Sequence, residues 1–153
     1  MRNKMLLIMT AGIVCVLLVS CSDKKTGGNA DRWVHYGTAE DGSQKYYDKE
    51  SITQISPNVI KVWDKGKLSQ GAKEMIMERR KQTNLPVEGW DKLDHVVLVR
   101  EIDCTKKTST TTRVEDYNDK GKKFYESDFP DAKPQQIPSG SMNELLLNKV
   151  CTR

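Results

Sequence analysis

Four cysteines and two histidines are the side chains of this 153-residue chain whose types suit covalent or metal chemistry. They are Cys15, Cys21, Cys104, Cys151, His35 and His95. A thiolate can accept a covalent group, two thiols can form a disulfide, and cysteine with histidine can hold zinc. No close Cys-x-x-Cys pair, glycine-rich phosphate loop or Ser-His-Asp order is present. The sequence therefore predicts no catalytic residue, no metal site and no cofactor.

Cys21 stands at the end of an apolar segment, where its thiol is suited to lipid attachment. Arg2 and Lys4 give a positive start, an apolar run covers residues 5–19, and polar residues follow Cys21 directly. A basic start, about 15 apolar residues and a small residue at the end are typical of a secretory signal. The letters LVSC at residues 18–21 resemble the lipobox of bacterial lipoproteins, in which the cysteine thiol accepts diacylglycerol and the peptide is cut just before it.

The lipobox divides the chain into three parts. Residues 1–20 are expected to be a lipoprotein signal peptide, residues 21–31 the lipidated Cys21 with a flexible tether, and residues 32–153 a single domain. Several acyl chains, palmitate among them, anchor a protein stably where one chain is marginal. Ser22 directly after the cysteine resembles the signal of lipoproteins that are released to the bacterial outer membrane. Either face of that membrane could carry the domain. An uncleaved membrane anchor, with Cys21 as an ordinary residue, is the alternative.

Cys104 and Cys151 are the cysteines that remain in the exported domain, and export permits disulfides. Two thiols in one such domain most simply pair with each other, which predicts a Cys104–Cys151 disulfide. A catalytic or metal-binding use is the alternative, although metal sites favour closely spaced cysteines with further ligands nearby.

Charge limits the partners of the chain. The formal net charge is +4, and two of the basic residues belong to the predicted signal, so no nucleic acid partner is expected. Arg79, Arg80 and Lys81 form a basic cluster that could bind acidic glycans, lipid head groups or a host protein. The alternative is a solvated helix face.

The pattern of residues 32–153 predicts an α+β domain with an antiparallel sheet of about six strands in hairpin order. The predicted strands cover 32–37, 44–47, 59–64, 95–104, 108–117 and 122–125. An inserted helix is expected to begin at Ser69 or Gln70 and to end at residues 84–86. The predicted inward face of this helix consists of Leu68, Ala72, Met75, Ile76 and Arg79. The predicted buried face of the fourth of these strands is Val96, Leu98, Ile102 and Cys104, with Arg100 as an exception. The tryptophans Trp33, Trp63 and Trp90 are expected mainly in the core, with exposure in a loop as the alternative for Trp90, which follows Gly89.

A second helix is predicted at the carboxyl end as a cover for the sheet. Ser141 and Glu144 match a capping box, which starts a helix by satisfying free backbone N–H groups. The predicted apolar stripe is Met142, Leu145, Leu146 and Val150. Because an antiparallel sheet with one apolar face needs a cover, this helix can supply it. A disulfide from Cys151 to Cys104 would fasten the cover to the sheet.

Several short motifs in a fixed order resemble the surface-adhesin protein E family of small exported bacterial proteins. They are Trp33, YYDKESI at 46–52, VW at 62–63, EIDC at 101–104, IPSGS at 137–141 and VC at 150–151. The resemblance implies an antiparallel sheet with helical cover and a disulfide. It also implies a non-enzymatic binding role, with host-matrix proteins such as vitronectin and laminin as the kind of partner. It transfers no binding residue to this chain.

The expected function is that of a lipid-anchored envelope lipoprotein, a binding module held to the membrane and contacting another envelope or extracellular protein. A structural or assembly accessory that faces the periplasm is the alternative. The sequence does not indicate the ligand or the oligomeric state.

Overall fold

The computed structural model of the chain describes residues 32–152, which form one antiparallel sheet and two α helices. The strands are β1 (Trp33–Thr38), β2 (Gln44–Asp48), β3 (Thr53–Ser56), β4 (Val59–Lys67), β5 (Leu93–Asp103), β6 (Thr108–Asn118), β7 (Lys123–Asp128) and β8 (Gln135–Gln136). The helices are α1 (Gln70–Gln82) and α2 (Met142–Val150). The predicted signal peptide, Cys21 and the tether lie outside the described residues.

The sheet follows the order β1-β2-β4-β5-β6-β7, and every pairing is antiparallel. Short β3 pairs with β4, and short β8 pairs with β6. The predicted α+β class with about six main strands is confirmed. β4 continues to Lys67, past the predicted end at Asp64, because its last residues are held by β2 and β5 on either side.

The main core lies between one face of the sheet and α2. Its buried members are Tyr36, Tyr47, Val62, Ile102, Leu146, Leu147 and Val150. The predicted apolar stripe of α2 was wrong at one position, because Leu145 is 44% exposed and Leu147 is buried instead. In a helix the positions i, i+1 and i+4 share one face, so 146, 147 and 150 turn inward together.

The predicted disulfide is confirmed, since Cys104 and Cys151 are bonded with their Cα atoms 5.7 Å apart. Cys104 follows β5, and Cys151 ends α2. The predicted cap at the other end of α2 is also present, because the Ser141 hydroxyl accepts a hydrogen bond from the Glu144 N–H at 3.2 Å. The Glu144 carboxylate accepts from the Gly140 N–H at 2.7 Å. Both ends of the covering helix are therefore fixed.

Beneath α2 the core contains a polar network. The Tyr36 hydroxyl donates to the Asp64 carboxylate at 2.9 Å, and the Nε of Arg100 donates to the same carboxylate at 2.7 Å. Asp64 is 2% exposed. Burial, followed by the charge of Asp64, raises the pKa of Tyr36 and keeps its hydroxyl protonated. Arg100 can therefore share a face with Ile102 because its charge is paired.

The predicted buried face of β5 was only partly right. Ile102 is buried as expected, but Val96 and Leu98 are half-buried, and Val97 and Val99 of the opposite face are buried. The register with β6 shifts between Val99 and Arg100, because Thr112 of β6 has no partner in β5. The pairing of β5 with β4 is continuous, so the alternation along β5 is regular and both of its faces carry buried residues.

The inward face of α1 also differs from the prediction. Ala72 is buried, whereas Met75 is 64% exposed. Arg80 turns inward, and its guanidinium lies 3.5 Å from the ring centroid of Trp90. The planar guanidinium can stack on an aromatic ring, so Arg80 takes the inward position that was predicted for Arg79. Within residues 32–152, no helix is both long and apolar enough to cross a membrane.

Candidate binding surface

Both helices contact the same face of the sheet, and the opposite face carries aromatic and basic side chains. Along β4 the residues Lys61, Trp63, Lys65 and Lys67 alternate with core residues and therefore share this opposite face. We define the aromatic–lysine face as Trp33, Tyr46, Trp63, Lys65, His95 and Tyr117. The register supports this grouping, because Tyr46 pairs with Lys65, and His95 lies between Lys67 and Tyr117.

Lys65 lies at the centre of one half of this face. Its Nζ is 4.2 Å from the ring centroid of Trp33 and 5.2 Å from that of Tyr46. Burial, followed by the charge of Lys67, lowers the pKa of Lys65. A cation between two aromatic rings stabilises their arrangement. The rings are therefore held apart in a fixed position rather than collapsed onto each other.

His95 and Tyr117 form a stacked pair on the other half of the face. Their ring centroids are 4.8 Å apart, and the rings are nearly parallel at 6°. The Nδ1 of His95 lies 3.1 Å from the Asp94 carboxylate, and Lys73 of α1 lies 3.6 Å from it. Burial alone would raise the pKa of Asp94, but His95 and Lys73 lower it overall. The ring of His95 is therefore oriented by two partners.

Two shallow grooves cross this face and share Trp63. One, of about 470 Å³, is lined by Trp33, Trp63, Lys65, His95 and Tyr117, among others. The second, of about 560 Å³, runs from Trp63 toward Arg113. Trp33 and Trp63 are half-buried, so part of each indole is open to a partner. The prediction of these two tryptophans as core residues was therefore wrong, while Trp90, for which exposure in a loop was the alternative, is buried.

The edge of the face formed by β6 and β7 is neutralised internally. Arg113 pairs with Asp128 at 2.6 Å and with Glu126 at 3.5 Å, and Lys123 pairs with Glu115 at 3.3 Å. The Tyr117 hydroxyl donates to Glu115 at 2.6 Å, and burial together with this bond raises the pKa of Tyr117 to about 12.

The lysines of β4, unlike the basic residues of this edge, form no ion pairs within the described chain. In the described chain, no carboxylate lies within ion-pair distance of Lys61, Lys65 or Lys67. Glu101 is the cross-strand neighbour of Lys61, so Lys65 and Lys67 carry most of the positive charge of β4 that has no acidic neighbour in the adjacent strands.

The predicted basic cluster at the end of α1 is not a single patch. Arg79 and Lys81 are exposed, but Arg80 stacks on Trp90 and donates to the Pro86 carbonyl at 2.8 Å. Binding through Arg79 and Lys81 stays a prediction.

The two histidines lie on strands beside tyrosines. His35 meets Tyr46 edge to face with ring centroids 5.2 Å apart, while His95 stacks on Tyr117 as described above. Residues 32–152 contain no group of three or more His, Cys, Asp or Glu residues that could hold a metal ion.

The sequence contained a signal for the aromatic–lysine face that composition alone does not reveal. From residue 61 to residue 67 every second residue is lysine or tryptophan. A solvated strand face seldom carries large indoles, so lysine alternating with tryptophan along one face indicates a contact surface.

The sequence and the fold of this chain were compared with those of known proteins. Residues 33–152 match the family model described as Surface-adhesin protein E. The solved structure of Haemophilus influenzae protein E is 15% identical, with a TM-score of 0.52, and the match covers 78% of this chain and 83% of that one. Protein E from non-typeable Haemophilus influenzae is 10% identical, with a TM-score of 0.52 and coverage of 82% and 78%. These structures share the fold with this chain. No curated protein matches the sequence.

Proposed function

We propose that this chain, which belongs to the surface-adhesin protein E family, is a lipid-anchored binding module of the bacterial outer envelope that contacts an extracellular protein through its aromatic–lysine face. The lipid is attached at Cys21, and residues 22–31 join it to the domain. The task of the domain is contact, and the chain is not proposed to be an enzyme.

The observation that carries this proposal is the position of Trp33, Trp63 and Lys65 on the sheet face that neither helix covers. Indole rings supply a large contact area with few rotatable bonds, and tryptophan is enriched among the residues that dominate binding energy. The three lysines of β4 favour a partner with an acidic segment, because complementary charge speeds association and fixes orientation. An extracellular protein with an acidic stretch fits both features.

The envelope location and the anchor are tested on intact bacteria. We expect metabolic labelling with an alkyne analogue of palmitate to mark the wild-type protein and not the Cys21→Ser variant. External protease is expected to remove the domain from whole cells that express the wild type. Complete protection of the domain in intact cells, with digestion after the outer membrane is opened, would instead place it on the periplasmic side and support an accessory role.

A further inference from the structure

A cleft on the helix side of the sheet is separate from the aromatic–lysine face. It lies between β6, the first turn of α2 and the segment that follows β7, and its volume is about 500 Å³. Its floor is formed by Arg100, Ser109 and Thr111, and Asn143 of α2 contributes to its wall. Because the sheet lies between them, the cleft and the aromatic–lysine face can be occupied independently.

The floor of the cleft has more hydrogen-bond donors than acceptors. The Nε of Arg100 donates to Asp64 at 2.7 Å, and one terminal nitrogen reaches the Thr111 hydroxyl only at 3.5 Å. A guanidinium has five N–H donors, and its remaining ones find no acceptor among residues 32–152. Ser109 is 7% exposed, and its hydroxyl has no hydrogen-bond partner in the part of the chain that the structure describes. Buried polar groups are normally paired, so these donors favour a ligand that has oxygen atoms able to accept hydrogen bonds.

The charge of the lining also suits an anion. Lys133 stands at the rim, and none of the described residues that line the cleft is acidic. The buried Asp64 offsets much of the Arg100 charge, which leaves Lys133 as the main source of long-range attraction. Carboxylates accept short hydrogen bonds from guanidinium and ammonium groups.

The wall opposite the polar floor is apolar. It is formed by Phe129 and Ala132 of the segment that follows β7, Val114 of β6 adds a further apolar side chain, and Phe129 is 42% exposed. An inorganic anion would leave this surface wet, whereas an organic acid would cover it. We propose that the cleft binds a small organic monocarboxylate, with its carboxylate toward Arg100 and Lys133 and its apolar body against Phe129.

The probe for this site is 3-phenylpropionate, and 3-phenylpropanol is the uncharged comparison. Saturation-transfer difference NMR would be recorded with the full chain in lipid nanodiscs. Saturable binding of the acid with a dissociation constant below about 1 mM is expected, and the alcohol should bind at least tenfold more weakly. Equal binding of acid and alcohol, or no saturation by the acid, would overturn the proposal.

Two variants of exposed or small residues test the location. Lys133→Glu is expected to weaken binding of the acid at least fivefold, and Ala132→Trp is expected to fill the cleft and abolish it. Lys67→Glu, on the opposite face of the sheet, is the matched charge control and should leave binding unchanged. Circular dichroism confirms that each variant is folded. If Lys133→Glu and Lys67→Glu behave alike, the acid binds elsewhere and the site is wrongly assigned, whatever the fate of the aromatic–lysine face.

Discussion

The Nζ of Lys65 lies 4.2 Å from the ring centroid of Trp33, although Lys65 belongs to β4 and Trp33 to β1. The two side chains meet across β2, whose Tyr46 lies on the same face. This contact holds the indole of Trp33, which belongs to the edge strand β1, close to the central strand β4. The rings of Trp33 and Tyr46 therefore have fixed positions on the surface that we propose as the binding surface.

Removal of the disulfide is expected to lower the free energy of unfolding. The bond closes a loop with a sequence separation of 47 residues. In the chain-entropy model such a loop contributes about 4 kcal/mol. Urea unfolding of a Cys104→Ser, Cys151→Ser double variant should show a loss of at least ~2 kcal/mol, and an unchanged midpoint would contradict this role.

The pair of Arg100 and Asp64 should behave as a strongly coupled unit. Arg100→Met leaves the buried Asp64 carboxylate with only the Tyr36 hydroxyl, so we expect a loss of about 3–5 kcal/mol. A variant that also carries Asp64→Leu should recover much of that loss, because no buried charge remains. A double-mutant cycle from urea unfolding measures the coupling. Additive effects of the two changes would show that the charges do not depend on each other.

Asp116 is expected to make stability depend on pH. Burial raises its pKa to about 6 from 3.8, against an opposing effect of the Arg80 charge. Between these two values the folded chain binds more protons than the unfolded chain, so the contribution of Asp116 to stability falls as the pH rises. The advantage of Asp116→Asn over the wild type should therefore grow between pH 4 and pH 7, by on the order of 2 kcal/mol.

This difference is obtained from chemical unfolding of both proteins at several pH values. Comparison with Asp116→Asn removes the contributions of the other titrating groups. A difference that is constant over the range would show that Asp116 titrates normally in the folded protein.

Neighbouring arginines of α1 should differ in their effect on stability. Arg80→Ala removes a guanidinium stacked 3.5 Å from the Trp90 centroid, and we expect a loss of about 1–2 kcal/mol. Arg79 is exposed, so Arg79→Ala should change stability by less than ~0.5 kcal/mol. Thermal unfolding compares the two variants directly. Equal shifts in the melting temperature would mean that the stacking contributes nothing measurable.

Much of the fold follows from local signals in the sequence. The order of the strands, the cap at Ser141 and the pairing of Cys104 with Cys151 each depend on short-range pattern or on simple counting. The register of the sheet and the direction of single side chains depend on contacts between distant segments. The register shift beside Arg100 and the exposure of Leu145 therefore could not be predicted.

The candidate surface was missed for a related reason. Tryptophan is usually counted as a core residue, and the sequence does not show which face of a sheet a helix will cover. The packing of α2 on Val62 and Ile102 shows that Trp63, the neighbour of Val62, points the other way, which gives the lysine and tryptophan pattern of β4 its meaning. Arg80 shows the converse, because a residue predicted as part of a solvated basic cluster proves to be a partner of Trp90.

The proposed role of the aromatic–lysine face is to bind an extracellular protein. It is tested most directly by surface plasmon resonance of the detergent-solubilised full chain on immobilised vitronectin and laminin. We expect the wild type to bind at least one of them, and we expect Trp63→Ala and Lys65→Ala each to weaken this binding at least tenfold. We also expect Lys133→Ala, on the other side of the sheet, to bind like the wild type. Equal binding by all four proteins would contradict a role of the aromatic–lysine face, and no binding to either ligand would contradict the binding of host-matrix proteins that the family resemblance implies.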